Sequence, residues 1–288
     1  DFGDGDPVVP VGTSDMALLS YDKTGKLVWK TIFPATGYQN IQAISIDKQG
    51  NIAITGTTDG QIDFGAGKLP AGAFVAKLDS AGKVLWGVTG TGNAYPYYVA
   101  IDAKGNVFAG GGGQSVNFGT GDLTGTDFSN FWVAKFDSAG GSTDWVKITK
   151  GGGIESLSGI AVDPSDSVVL TGSWDSQYLG LSGDDTVPND MYNGSGTSAP
   201  FLLRLDPDGN LSNSKKLAGF NGPVNVSVSA IANDKLGVST LVGTFSGAVT
   251  FQSGDYDAGS DSALFILHDQ TSGFNQTSKV FIQSGASS

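Results

Sequence analysis

Apolar and polar residues alternate over short stretches along most of this chain, and the stretches end in Gly, Asp, Ser or Asn. In Phe74-Val75-Ala76-Lys77-Leu78-Asp79 the alternation places Phe74, Ala76 and Leu78 on one face and Val75 and Lys77 on the other. A period of two is that of a β-strand, whose successive side chains point to opposite faces. The elements predicted are therefore short strands joined by tight turns.

The strands recur in a fixed order. One half of the repeating unit reads as an apolar strand, then Asp-x-x-Gly-Asn, then a second strand ending in Thr-Gly. It runs from Ile44 to Asp47, through Gly50-Asn51, to Thr55-Gly56. It returns at Val99 to Asp102 with Gly105-Asn106 and Gly110-Gly111, and again at Ile160 to Asp163 with Asp166-Ser167 and Thr171-Gly172. A weaker copy passes through Asp234 and Gly237 to Val242-Gly243. The other half reads as an apolar strand, an Asp, a turn, and a strand carrying Trp. Its copies are Leu18 to Asp22 with Trp29, Phe74 to Asp79 with Trp86, and Phe131 to Asp137 with Trp145. Copies at Phe201 to Asp206 and Phe265 to Asp269 have lost the Trp. The Asp-x-x-Gly element has a mechanical reason to recur: Asp accepts hydrogen bonds from turn amides, and Gly takes the left-handed conformation that closes the hairpin.

Each unit thus predicts a four-stranded antiparallel sheet, with an inserted loop such as Ile62-Asp63-Phe64-Gly65-Ala66-Gly67 in its middle. One such sheet cannot bury both of its faces, so the units must pack face to face. Radial packing gives an all-β β-propeller, the architecture expected here. A β-solenoid is the alternative, although its repeats are roughly half as long. The reading is of one domain over residues 1–288, with a half-blade at 1–33 and blades at 41–90, 97–149, 157–218 and 224–285. Asp1-Phe2-Gly3-Asp4-Gly5 aligns with Asp63 to Gly67, so the first blade lacks its inner strand pair and leaves the Asp15–Phe33 hairpin with an open edge. Soluble proteins cover such edges. The expectation is therefore a longer native chain, or a strand from another copy that completes the blade and makes the protein self-associate.

The segments FVAKLDSAGKVLW (74–86), VAIDAKGNVFAG (99–110) and VNFGTGDLTG (116–125) resemble the bacterial SBBP-type β-propeller repeats. The likeness is close to about residue 175 and loose beyond it. The interval between turn carboxylates also grows, from 55 residues (Asp47 to Asp102) to 61 (to Asp163) and then 71 (to Asp234). The resemblance implies a secreted or cell-surface protein, any signal peptide lying upstream of Asp1 or already removed. It implies no catalytic residue, because that family is defined by its scaffold.

Composition narrows the partners. A formal charge of −12 without any basic run argues against nucleic acid and anionic membrane surfaces, which require clustered Lys and Arg. No stretch approaches the roughly 18 apolar residues of a membrane span. Zero cysteines exclude disulfides and thiolate metal sites. What remains is a non-enzymatic scaffold for adhesion or assembly, with a protein or a glycan at the cell surface as its partner. The rival reading is a carbohydrate-active enzyme, a glycosidase or lyase, or a lectin, using Asp residues at a propeller mouth.

Few residues stand outside the repeat. Trp29, Trp86 and Trp145 share one repeat position and read as packing residues. Trp132 and Trp174 do not repeat, and are the candidates for stacking on a sugar or a protein partner. Three acidic clusters are also non-repeating: Asp1-Asp4-Asp6, Asp184-Asp185-Asp190 and Asp255-Asp257-Asp261. The last is the best candidate for Ca2+, because alternating carboxylates near Gly can wrap a hard cation. The only histidine, His268, is expected in the strand place of Leu78 and Leu205, without a chemical role. The sequons at Asn193, Asn210, Asn225 and Asn275 are near chance for a Ser/Thr-rich chain.

Overall fold

The computed structural model describes residues 1–11, 13–126, 129–182, 186–188, 198–220, 225–270 and 276–282. Among them there is no helix, so none that is long and apolar enough to cross a membrane. Among the described residues the strands form four antiparallel four-stranded sheets, one three-stranded sheet and four two-stranded sheets. Sheet I consists of Gln39–Ile46, Ile52–Thr58, Gly72–Leu78 and Val84–Gly90, paired in chain order. Sheet II has Ala94–Ile101, Val107–Gly113, Phe131–Phe136 and Thr143–Ile148 in the same order. Sheet III has Glu155–Val162, Val168–Trp174, Ala199–Leu205 and Leu211–Lys216, and sheet IV has Asn225–Asn233, Val238–Ser246, Ala263–Gln270 and Gln276–Phe281. Met16–Tyr21 pairs with Leu27–Phe33 alone. The chain divides into two compact units. One holds Asp1–Gly111, Ser115–Leu123 and Val133–Val146, the other Gly112–Gln114, Thr124–Trp132 and Lys147–Ser288.

The turns follow the Asp-x-x-Gly chemistry. At Asp22, Asp47, Asp79, Asp102, Asp163, Asp206 and Asp234, Oδ1 accepts hydrogen bonds from the amides two and four residues on, at 2.7–3.1 Å. The recurring Asn adds a further bond, as where Asn51 Nδ2 donates to Asp47 Oδ2 at 2.7 Å. In the third copy Asp166 takes the glycine place with φ of 61°, the one non-glycine positive φ among the described residues.

The Thr-Gly signature is a packing requirement. Gly56, Gly172 and Gly243 each face the bulged first strand of their sheet, where the register shifts. A Cβ on Gly56 would collide with the Asn40 carbonyl and come within 2.8 Å of the Phe74 ring. Gly172 with Phe201 and Gly243 with Phe265 repeat that contact. The alternation read in residues 74–78 gives the strand but not its burial. Phe74, Val75, Ala76 and Leu78 are all fully buried, and Lys77 is 4% exposed, because this strand is covered on both faces.

In the first unit, neighbouring sheets are fastened at one repeated place. Trp29 Nε1 donates to Ser80 O at 3.1 Å, and Trp86 Nε1 donates to Ser138 O at 3.2 Å. Each indole lies on the glycine of the turn it reaches, Gly82 or Gly141. Beside Trp86, Lys77 Nζ donates to Gly105 O at 2.6 Å and Ser138 O at 3.3 Å, so the buried ammonium bridges two turns of sheet II. Phe64, from the inserted hairpin, fills the adjacent gap against Phe33 and Phe74, with ring centroids 5.5 Å apart in both cases.

Gly82 and Gly25 separate the two costs of a turn glycine. Both have φ near +80°, but a Cβ on Gly82 would lie 2.6 Å from the Trp29 ring, whereas Gly25 has nothing within 4 Å. Urea unfolding should show Gly25→Ala costing about 1 kcal/mol from the backbone alone. Gly82→Ala should cost about 1–3 kcal/mol more through overpacking. Equal costs would show that the indole does not press on the turn.

Candidate functional site

Three of the outer hairpins share one register with a bulge before the turn, at Ser20/Tyr21, Lys77/Leu78 and Arg204/Leu205, so differences at one place are informative. Cross-strand pairing sets Lys77 opposite Trp86 in sheet I and Arg204 opposite Asn213 in sheet III. Asn213 thus stands where an indole stands in the earlier copies. Arg204 also departs from Lys77. It turns back to its own sheet and forms an ion pair with Asp163 Oδ2, both side chains being largely buried at 11% and 3% exposed. Asp163 Oδ1 meanwhile holds the Ser165 and Ser167 amides. Burial pushes the Arg204 guanidinium down from its ordinary range, and the charge of Asp269 opposes that. Asp269 is itself buried and paired with Lys215.

With the indole absent and the arginine turned back, a pocket of about 510 Å3 opens in the second unit. It is lined by Asp163, Pro164, Ser165, Ser167, Arg204, Ser212, Asn213, Lys235, Leu236 and Gly237. The sequence did carry a signal for it, the Trp missing from the copy that ends at Asp206. Nothing in the sequence showed that Arg204 would fold back. A smaller cleft of about 320 Å3 is lined by Thr250, Asp255, Tyr256 and Asp257 with Ala248 and Val249.

The residues singled out from sequence fall differently. Trp132 and Trp174 were candidates for stacking, yet both are 0% exposed. Trp132 Nε1 donates to Gly112 O at 3.1 Å, and Trp174 packs on Phe201 with centroids 5.7 Å apart. No partner arriving from solvent can reach either ring, and their size explains why: these strands are covered on both faces and the large rings fill the space between. Asp255, Asp257 and Asp261 do not converge either. Asp255 Oδ1 accepts from Thr250 Oγ1 at 2.8 Å, and Asp257 Oδ1 from the Gly259 amide at 2.8 Å. Among the described residues no three metal-ligating side chains come together. Asp4 and Asp6 share Lys30, at 2.8 and 2.9 Å. Asp184, Asp185 and Asp190, like the sequons at Asn193 and Asn275, lie outside the described residues.

His268 is also displaced from its expected place. It pairs with Thr240, the position that Lys77 holds opposite Ala53 and Arg204 opposite Val169. Its Nδ1 lies 2.9 Å from Thr240 Oγ1. Asp269, read as a turn residue, takes the buried place of Leu78 instead. Strand Ala263–Gln270 keeps the register of its sister strands but runs one residue further before its turn, so the Asp expected in the turn falls inside the strand. Glu155, the only glutamate, is 2% exposed and accepts from Ser176 Oγ at 3.0 Å.

Repeated four-stranded antiparallel sheets with interposed small hairpins make this an all-β repeat protein, compatible with a propeller-like fold. No family model and no curated protein matches the chain. Among solved structures, a protein of unknown function from Bacteroides caccae is similar over 88% of this chain and 83% of its own, with 11% identity and a TM-score of 0.41.

Two of the turn carboxylates, Asp22 and Asp206, are tuned as structural acceptors. The Thr24 hydroxyl, with the Lys26 and Thr24 amides, holds the Asp22 carboxyl below its ordinary 3.8. At Asp206 desolvation pushes upward, but the bonds from Asn210, Asp208 and Gly209 together outweigh it. A general acid needs the opposite shift. Since the folded pKa lies below the unfolded one, the stabilisation from Asp22 is complete above the unfolded value. It is lost as pH falls through the folded value. Carboxyl-detected NMR titration should place the Asp22 midpoint below 3.8, and Thr24→Val should move it up toward 3.8. An unmoved midpoint would remove the hydroxyl as the main cause.

Proposed function

We propose that the chain is a non-enzymatic β-propeller scaffold of a secreted or cell-surface protein that binds glycan or protein partners. One observation carries this reading. At seven of the repeat's turns the carboxylate is bonded into its own turn, so these recurring carboxylates serve the frame and not a reacting centre. The SBBP-like repeat segments point the same way, as that family is defined by its scaffold. The enzyme reading has one feature in its favour. Asp255 and Asp257 are two residues apart on one strand and line a common cleft with Tyr256. Side chains so placed share a face and stand about 6–7 Å apart. That lies within the range of glycosidase carboxylate pairs. Incubation with neutral and acidic polysaccharides should give retention on immobilised protein without new reducing ends or unsaturated products. Turnover that is lost in Asp255→Asn or Asp257→Asn would replace the scaffold reading with a carbohydrate-active enzyme.

Self-association belongs to the same proposal. Met16–Tyr21 pairs only with Leu27–Phe33 among the described residues, leaving one side of the strand open to β-strand addition by a second copy. Hydrogen exchange at the Met16 to Tyr21 amides should slow as protein concentration rises, in step with a larger sedimentation coefficient. A monomer at every concentration with unchanged exchange would eliminate this partner.

A further inference from the structure

We propose that the pocket between Arg204 and the Lys235–Gly237 turn binds a hydroxylated organic anion, specifically a uronic acid unit of an acidic glycan. This rests on the binding reading above and names the ligand class for it. The pocket exists because two residues of the repeat have been exchanged. At the corresponding place in the first unit, Trp86 and Lys77 reach across to the next sheet and occupy the space with an indole and an ammonium. Asn213 is too short to do so, and Arg204 is drawn back onto Asp163. The volume of about 510 Å3 is that of a small-molecule site.

The lining selects the ligand. Asp163 and Arg204 neutralise each other, and both oxygens of Asp163 are engaged. Lys235 is exposed and has no carboxylate partner among the described residues, so the pocket carries one net positive charge in a protein of formal charge −12. A ligand carboxylate answers that charge. The Asn213 amide supplies two donors and an acceptor, and the remaining Arg204 N–H groups supply fixed donors, which suits a ring of hydroxyls. Leu236, 76% exposed, offers an apolar surface for the C–H face of a pyranose. A neutral sugar would leave Lys235 unanswered, and an aromatic anion would leave the Asn213 amide unpaired.

The test is a titration of the intact chain with D-galacturonate and with D-galactose, which differ only at the carboxylate carbon, followed through backbone amide NMR shifts. Galacturonate should shift Ser165, Asn213 and Lys235 to Gly237 and saturate with a Kd on the order of 1 mM. Galactose should bind at least about ten-fold more weakly, the effect of losing one charge-assisted contact. Asn213→Trp, which restores the indole of the earlier copies, should abolish the shifts while leaving the melting temperature at or above that of the parent. Lys235→Gln, an exposed substitution that does not threaten folding, should weaken galacturonate about ten-fold. Equal binding of the two sugars, or unchanged binding in Lys235→Gln, overturns the proposal. So does undiminished binding in a folded Asn213→Trp. Polysaccharide turnover would overturn the scaffold reading alone, because these shifts report the pocket whether or not another site is catalytic.

Discussion

The first unit depends on one repeated contact, an indole from one strand pair seated on the glycine turn of the next, joined at Trp86 by the Lys77 ammonium. A four-stranded sheet of this size cannot bury both faces by itself, and its inserted hairpin packs into the core it shares with its neighbour. Trp86 and Lys77 supply the attachment, and what they attach to is backbone: the carbonyls of Ser138 and Gly105. That explains why turn chemistry and core packing cannot be varied separately here. The Asp carboxylate shapes the turn, the turn presents its carbonyl outward, and the missing Cβ of Gly82 or Gly141 lets the ring approach. Removing any one of the three loosens the other two.

The same coupling explains where variation is tolerated. In sheets I to III the central strands are buried on both faces and differ little between copies, whereas those of sheet IV alternate between buried and exposed positions. Compare Val168–Trp174 with Ile52–Thr58, each nearly buried throughout. The junction residues are held by fewer partners, and it is there that the later copies depart. Arg204 exchanges a bridge between sheets for an ion pair within its own, and Asn213 exchanges a ring for an amide. The frame survives because Gly159 still admits Ile231 closely, a Cβ there standing 2.8 Å from the Ile231 side chain. A polar pocket is the result. Burying the Asp163–Arg204 pair is costly unless each charge keeps its partner, so the pair holds both side chains in one arrangement.

Much of this was legible in the sequence, because the repeat constrains it locally. The Asp-x-x-Gly spacing specified the hairpins, since a carboxylate accepting the amides two and four residues on requires nothing from the rest of the chain. Period-two alternation specified the strands, and the recurring Trp29 and Trp86 specified packing residues. The absence of an indole from the copy that ends at Asp206 marked the place of the pocket.

Tertiary structure alone decided how those elements face one another. Alternation assigned Lys77 and Phe74 to opposite faces, but not that both faces would be buried; that follows from stacking, which no local pattern encodes. Trp132 and Trp174 lacked repeat counterparts and so became candidates for stacking on a partner, although non-repeating large rings also fill irregular gaps between covered strands. Asp255, Asp257 and Asp261 are close in sequence, yet strand and turn geometry spends two of them on separate local partners. His268 and Asp269 each stand one place earlier than the turn pattern implies, because strand Ala263–Gln270 runs one residue further than its sister strands before it turns. The sequence by itself determined the turns, the strands and their repetition, which are settled within a few residues. Only the tertiary structure decided which carboxylate meets Arg204 and where a pocket opens, because those depend on side chains far apart in the chain competing for the same partner.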